Sequence, residues 1–391
     1  MERTPQTTAD GDRATARTVA ILQELVGINS VNPLQAGPRS GPGGEAELAR
    51  WLADATASLG AEITLDEVEP GRPNVYAHFD AGAERTLAVD VHLDTVGVEH
   101  MTDDPFDGRL ADGRVYGRGS VDTKATFAVL LALLEELGGP TGTNLLVIGT
   151  VGEEAGGLIG AYRLRDAAAE RGLRVDEMIV AEPTSCVPVH GHKGGVGLEI
   201  VVQGEAAHSS KPELGRNAIV AAARIVAAFD TEHDLLVAGE ATTSVGTGTL
   251  SVTEIEGGLA RNIIPDRCEL FASRRIAPGE DPDDEYRRLS EVAARAAAPL
   301  PIEVTMSYGR GSPAFFQPPD APLVARLAAL TGAAPDTATY GSNALAYPNM
   351  ADSLVVFGPG SIDQAHKAVE WIEVSELDRA CAAYRSLLAS G

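Results

Sequence analysis

Residues 86–94 read Thr86-Leu87-Ala88-Val89-Asp90-Val91-His92-Leu93-Asp94, an apolar run that ends on an imidazole and then a carboxylate. The stretch Thr86 to Val91 is too short for a helix and apolar on both faces apart from Asp90, so it predicts a strand buried inside a parallel sheet. Similar runs lie at Leu145–Gly149, Glu177–Ala181 and Ser353–Phe357, with helical periodicity at Thr123–Leu137 and Gly157–Arg171 between them. This alternation predicts an α/β fold: a doubly wound, mostly parallel sheet with helices on both faces. Upstream, helices are expected from about Arg13 to Ile28 and from Glu45 to Leu59, the second closed by Gly60. The Pro- and Gly-rich loop between them, Asn32 to Gly44, is long enough to suggest a functional role.

The middle third has another rhythm. Val196–Gln203 reads as a strand, Asn217–Phe229 as a helix, Gly248–Ile255 and Arg267–Ser273 as strands, Glu285–Ala298 as a helix and Ile302–Ser307 as a strand. That β-α-β-β-α-β order is a ferredoxin-like α+β unit. It implies a first domain in two parts, residues 1–192 and 309–391, interrupted by an inserted second domain at residues 193–308. The second part resumes with a helix at Pro322–Thr331 and the strand at Ser353.

The chain has 391 residues, 44% of them hydrophobic and 22% charged, the balance of a globular protein with a sizeable core. Its 31 Lys plus Arg against 56 Asp plus Glu give a net charge of −25, a field that repels phosphate backbones and anionic lipids. No nucleic acid and no membrane partner is expected. The most apolar run, Ala125 to Leu134, is too short to span a bilayer. Cys186, Cys268 and Cys381 are too few and too scattered for a disulfide framework or a thiolate metal site, which points to a reducing cytoplasm. The polar first dozen residues read as a frayed tail and not a signal peptide.

The chemistry gathers where the predicted strands end. His92 and Asp94 follow the first strand, Glu153 and Glu154 the second, Glu182 the third, and His366 lies in the loop after Phe357. Ligands of open α/β sheets bind beyond the carboxyl ends of the strands, so separate strands deliver these groups to one edge. Asp122 joins them at the start of the next helix, behind Gly117-Arg118-Gly119. Two histidines and three or four carboxylates without a cysteine suit two divalent ions such as zinc, with one carboxylate bridging. A two-metal hydrolase is the expectation. His190-Gly191-His192 lacks carboxylate neighbours, and His78, His100 and His233 stand alone, so these are read as structural or solvated.

Five runs also carry a resemblance: His92-Leu93-Asp94-Thr95-Val96, Gly117 to Lys124, Gly152-Glu153-Glu154, Ala181-Glu182-Pro183-Thr184, and Phe357-Gly358-Pro359-Gly360 leading to Ala365-His366. In this order they resemble the M20 family of metallopeptidases and deacylases, and the resemblance implies a catalytic domain of residues 1–192 and 309–391 with residues 193–308 as its inserted lid and dimerisation domain. Ser30-Val31-Asn32-Pro33 is similar to its acetylornithine deacetylase and succinyl-diaminopimelate desuccinylase branch. The resemblance implies that Asp122 bridges two ions, zinc or cobalt, with His92 and Glu182 on one and Glu154 and His366 on the other. It further implies Glu153 as general base, Asp94 orienting His92, and His208 in Gly204–Ser210 stabilising the oxyanion in the partner subunit of a homodimer. Asn262 and Arg275 match positions that hold the substrate α-carboxylate.

Three departures bear on substrate. Asn343 stands where relatives commonly carry an acid, Ser273 where they have an Asp two residues before the Arg, and Val369 replaces a polar residue before Glu370. The expected activity is cleavage of a small N-acyl amino acid at its amide bond. The alternatives are a dipeptidase or carboxypeptidase of the same family, a silent metal-binding protein on the same scaffold, or a two-metal phosphoesterase or nuclease, which the net charge opposes.

Overall fold

The computed structural model describes residues 7–171 and 175–389. They divide into two compact units, one of residues 7–171, 175–190, 317–336 and 342–389, the other of residues 191–316 and 337–341.

In the first unit, strands β1 (Glu62–Glu69), β2 (Arg72–Phe79), β3 (Thr86–His92), β4 (Asn144–Thr150), β5 (Val175–Val180) and β6 (Ala351–Val356) form a sheet in the order β1-β2-β4-β3-β5-β6. The four strands β4, β3, β5 and β6 are parallel, and the β1–β2 hairpin adds on antiparallel. Strand β3 is central, and Leu87, Ala88, Val89 and Val91 are all buried, as the apolar run requires.

The helices are α1 (Thr7–Gly27), α2 (Ala46–Ser58), α3 (Lys124–Leu137), α4 (Ile159–Arg171), α5 (Pro322–Thr331) and α6 (Val374–Ala389). Helix α3 is buried from Lys124 to Leu134, packs against α1 and α6, and ends at Gly138 with φ +71°, a left-handed cap that only glycine adopts without strain. The ammonium of Lys124 donates to the carbonyls of Leu25 (2.9 Å) and Ile28 (2.7 Å), so it caps the end of α1. Burial pulls its pKa down to about 7.

Several elements depart from expectation. The tail reading covers the first dozen residues; residues 1–6 lie outside the described residues, and from Thr7 onward the reading is corrected, because α1 begins there. The β1–β2 hairpin went unforeseen because the acidic residues of β1 are mostly exposed and mask its alternation. Helix α6 buries Leu377, Ala380, Cys381, Tyr384, Leu387 and Leu388, a helical stripe of small and apolar residues.

The second unit holds a four-stranded antiparallel sheet in the order Thr249–Gly257, Arg267–Ile276, Gly194–Gln203, Glu303–Tyr308. Helices Ala218–Ala238 and Pro282–Ala297 complete a β-α-β-β-α-β chain with its first and third strands central. The first helix runs on past Phe229 to Ala238. Asp281 caps the second, accepting from the amides of Asp283 (2.9 Å) and Asp284 (3.0 Å). The buried Arg274 ties that helix to the sheet through Glu285 (3.0 Å) and Glu280 (2.8 Å).

Candidate metal centre

Because β3, β4, β5 and β6 are parallel, the residues that follow them emerge at one sheet edge. There the donor atoms of His92, Asp122 and Glu182 form one cluster and those of Asp122, Glu154 and His366 a second, each within 4.8 Å. Asp122 belongs to both. Its Oδ1 lies 3.1 Å from His92 Nε2 and its Oδ2 3.2 Å from His366 Nε2, while His366 Nε2 is 3.0 Å from Glu154.

Asp122 does not cap α3; Thr123 occupies that position. A buried ion pair fixes it instead. The Glu370 carboxylate accepts from the amides of Val121 (3.1 Å) and Asp122 (3.4 Å) and is paired with Arg118, whose Nη2 also donates to Gly97 O (3.2 Å). Arg118 and Glu370 are each only 1% exposed, and burial pushes the Glu370 carboxyl up to about 7 against the pull of Arg118. Arg118→Ala strands that charge and is expected to cost about 3 to 5 kcal/mol of stability. Urea unfolding checks this; a midpoint unmoved from wild type would mean the pair contributes nothing net.

The carboxylate of Asp94 does not hydrogen-bond to His92. It stands 3.8 Å from His92 Nδ1, which donates instead to the Asp94 backbone carbonyl at 2.8 Å. The carboxylate accepts from the amides of Glu153 (3.1 Å) and Glu154 (3.0 Å) and from Asn32 Nδ2 (2.7 Å). Asp94 therefore orients His92 through its main chain and the acidic loop through its side chain. The committed Nδ1 proton leaves the His92 Nε2 lone pair facing the cluster, as an ion ligand requires.

His366 has φ +59°, a left-handed conformation costly for a residue with a Cβ. His100 Nε2 lies 3.1 Å from the His366 carbonyl, to which it donates, and so braces that backbone. Nothing in the sequence around a lone histidine signalled this contact. His190 and His192 lie in neither cluster; His190 Nδ1 donates to Gln317 O (2.7 Å) and His192 packs on Phe315 at a ring distance of 5.4 Å.

The electrostatics show a centre short of positive charge. Burial together with neighbouring carboxylates raises the Glu154 carboxyl, lifts that of Glu182 well above its usual range, and pushes that of Glu153 up to about 8. Burial would also raise Asp122, but hydrogen bonds from His366 and His92 outweigh it and hold its carboxyl well below the usual range. The Asp122 and Glu154 hydrogen bonds in turn push His366 up to about 10. Crowded carboxylates balanced only by imidazoles, with a shared carboxylate between two clusters, fit a pair of divalent cations.

The remaining predicted residues lie in the second unit. His208 and Asn262 are neighbours there: His208 pairs with Ile263 in a short ladder, and Ser209 N donates to Asn262 O at 2.9 Å. Both side chains are exposed. The Ser210 amide donates to His208 Nδ1 (3.2 Å), so in the neutral ring the proton sits on Nε2, which becomes a donor. Arg275 is exposed on the strand next to buried Arg274.

One departure is corrected in its meaning. Asn343 is 2% exposed and does not present its amide to a pocket; Nδ2 donates to Asp90 Oδ2 (3.0 Å) and Thr150 Oγ1 (2.9 Å). Tyr347 OH donates to the same Asp90 oxygen at 2.8 Å. An acid at position 343 would oppose the Asp90 carboxylate, so the amide answers a buried neighbour.

Two imidazole–carboxylate clusters sharing one carboxylate, at the carboxyl edge of a mostly parallel sheet, define the class as a hydrolase with a candidate two-ion centre. The model of peptidase family M20/M25/M40 matches residues 88–390. Acetylornithine deacetylase from Aliivibrio fischeri (strain MJ11) is 31% identical over 362 residues, covering 91% of this chain and 93% of the relative. Among solved structures, a tripeptidase from Staphylococcus aureus subsp. aureus Mu50 superposes with a TM-score of 0.77 at 22% identity, over 96% of this chain and 97% of that one. A dinuclear metal binding peptidase of the M20 family from Bacillus subtilis superposes at 0.69 with 16% identity, over 96% and 98%. At those identities the superpositions speak for the fold alone. The chain belongs to peptidase family M20/M25/M40 and is a hydrolase. Among the described residues no helix is long and apolar enough to cross a membrane.

Proposed function

We propose that the chain is a two-metal amidohydrolase that cleaves a small N-acyl amino acid into a carboxylate and a free amino acid. The observation that carries this reading is the shared carboxylate of Asp122 between two clusters, with Glu153 beside them but in neither. His92, Asp122 and Glu182 would hold one ion and Asp122, Glu154 and His366 the other, zinc or cobalt by their nitrogen and oxygen donors. Ions so held supply positive charge that polarises an amide carbonyl and acidifies a water. Glu153 takes the proton from the attacking water and returns it to the leaving amine. His208, with its proton on Nε2, is the donor for the developing oxyanion. Asn262 and Arg275 receive the α-carboxylate, for which a guanidinium offers a bidentate fork.

A deacylase is preferred over a dipeptidase because the relative at 31% identity is named acetylornithine deacetylase. Turnover of N-acetyl, N-succinyl and N-formyl amino acids beside dipeptides, with zinc or cobalt supplied, tests the choice. N-acyl amino acids are expected to be the faster substrates; dipeptides turned over faster would reverse it.

Arg275→Ala is expected to cost about 1.5 to 3 kcal/mol of binding for substrates with a free α-carboxylate, tenfold or more in kcat/KM, and little for their amide analogues. Equal losses on both would remove Arg275 from substrate binding. We also assign the chain to the cytoplasm, in keeping with its three free buried cysteines. A homodimer through the second unit is supported by its edge strand Thr249–Gly257, where Ile255 is 56% exposed, and by Leu259 just beyond it at 81%.

A further inference from the structure

The loop from Asn32 to Gly44 begins with a side chain whose every polar atom is engaged. Asn32 is fully buried. Its amide N donates to Thr95 O (2.8 Å) and its carbonyl accepts from Gln35 N (2.8 Å). Its side-chain Oδ1 accepts from Leu34 N (3.0 Å), which closes a tight turn over Pro33–Gln35. Its Nδ2 donates one proton to Asp94 Oδ2 (2.7 Å) and the other to the carbonyl of Ala155 (2.8 Å).

Those last two contacts bracket the acidic loop. The Asp94 carboxylate accepts from the amides of Glu153 and Glu154, and Ala155 is the next residue along. Gln35 adds a hydrogen bond from Nε2 to the carbonyl of Glu154 (3.1 Å), in the same direction. Only an amide fits the position. An aspartate at 32 would set its oxygens against Asp94 and a carbonyl with no proton between them, and an alanine would leave both acceptors short of a donor.

We propose that Asn32 is a positioning residue for hydrolysis: through Asp94 and Ala155 it fixes the backbone from which Glu153 projects, and so the direction in which that carboxylate takes and returns its proton. Asn32 touches none of the candidate ion ligands by its side chain and acts through the loop. The inference rests on Glu153 as the general base. Misplacing a reacting group by about 1 Å can cost about 10²-fold in rate, which sets the scale.

The test compares wild type, Asn32→Ala and Glu153→Gln by steady-state kinetics on the best substrate of the acyl panel, with bound metal, thermal midpoint and amide hydrogen exchange measured on each. Asn32→Ala is expected to lower kcat by about 10²-fold with KM within about twofold. Bound metal should stay near wild type, the thermal midpoint should fall by a few degrees, as the unpaired acceptors require, and stay well above the assay temperature, and exchange should quicken at the Glu153 and Glu154 amides. Wild-type kcat in Asn32→Ala would overturn the inference. So would a kcat loss that tracks lost metal or lost fold, because Asn32 would then be a general brace. If Asn32→Ala does not fold, Asn32→Ser replaces it: the hydroxyl can still accept from Leu34 N but cannot bridge Asp94 and Ala155, and the same kcat loss is expected. An active wild type with inactive Glu153→Gln and unimpaired Asn32→Ala defeats this inference alone. A Glu153→Gln with wild-type kcat defeats the general-base reading, and this inference falls with it.

Discussion

Asp122→Ala should empty both candidate ion positions at once and bring amide hydrolysis to background. Its two oxygens face different imidazoles, Oδ1 toward His92 and Oδ2 toward His366, so no other side chain substitutes for it in either cluster. The positive charge lost with the ions is worth several kcal/mol of transition-state stabilisation, and about 1.4 kcal/mol corresponds to a factor of ten. A fall of about 10³-fold or more is therefore expected. Metal analysis after dialysis, with His366→Ala as comparison, gives the direct reading. His366→Ala leaves the His92, Asp122 and Glu182 cluster whole and should keep about half the metal of wild type. Asp122→Ala protein that still holds the wild-type amount would remove Asp122 from its bridging place.

The sheet edge was legible because parallel strands buried on both faces make short apolar runs, and a polar residue directly after such a run has one direction to face. His92 and Glu182 could be placed this way from their neighbours alone. What holds them was less visible. Asp94 sits two residues from His92 and orients it by its main-chain carbonyl, while its side chain turns to two amides some sixty positions away. The braces on Asp122 and His366, supplied by Glu370, Arg118 and His100, join segments about 250 residues apart, and no periodicity records such a contact.

The departures show the same limit from the other side. Asn343 stands in place of an acid, and its partner is Asp90 inside strand β3, so it bears on the packing beneath His92. Ser273 removes a carboxylate near Arg275, while the adjacent Arg274 is held by Glu280 and Glu285 from outside the motif. A substitution read in one dimension changes meaning once its neighbour is known.

Glu153→Gln should lower kcat by about 10²- to 10⁴-fold, the usual worth of a positioned general base, and leave bound metal close to wild type. The amide is nearly isosteric and still receives the same brace, because it is the Glu153 main-chain N–H that donates to Asp94 at 3.1 Å. What it loses is the capacity to accept a proton. Burial and the charges of Glu154, Asp94 and Asp122 push the Glu153 carboxyl up to about 8 against the pull of His92; cations held by the two clusters would lower it, leaving a carboxylate that can accept a proton from water at neutral pH. Glu154, one residue on, is the internal control. Its carboxylate lies 3.0 Å from His366 Nε2 within a cluster, so Glu154→Gln should lose metal along with activity. Kinetics and metal content measured on the two variants separate base from ligand. If Glu153→Gln loses metal and activity together while Glu154→Gln keeps its metal, the two adjacent carboxylates have exchanged the roles given to them here.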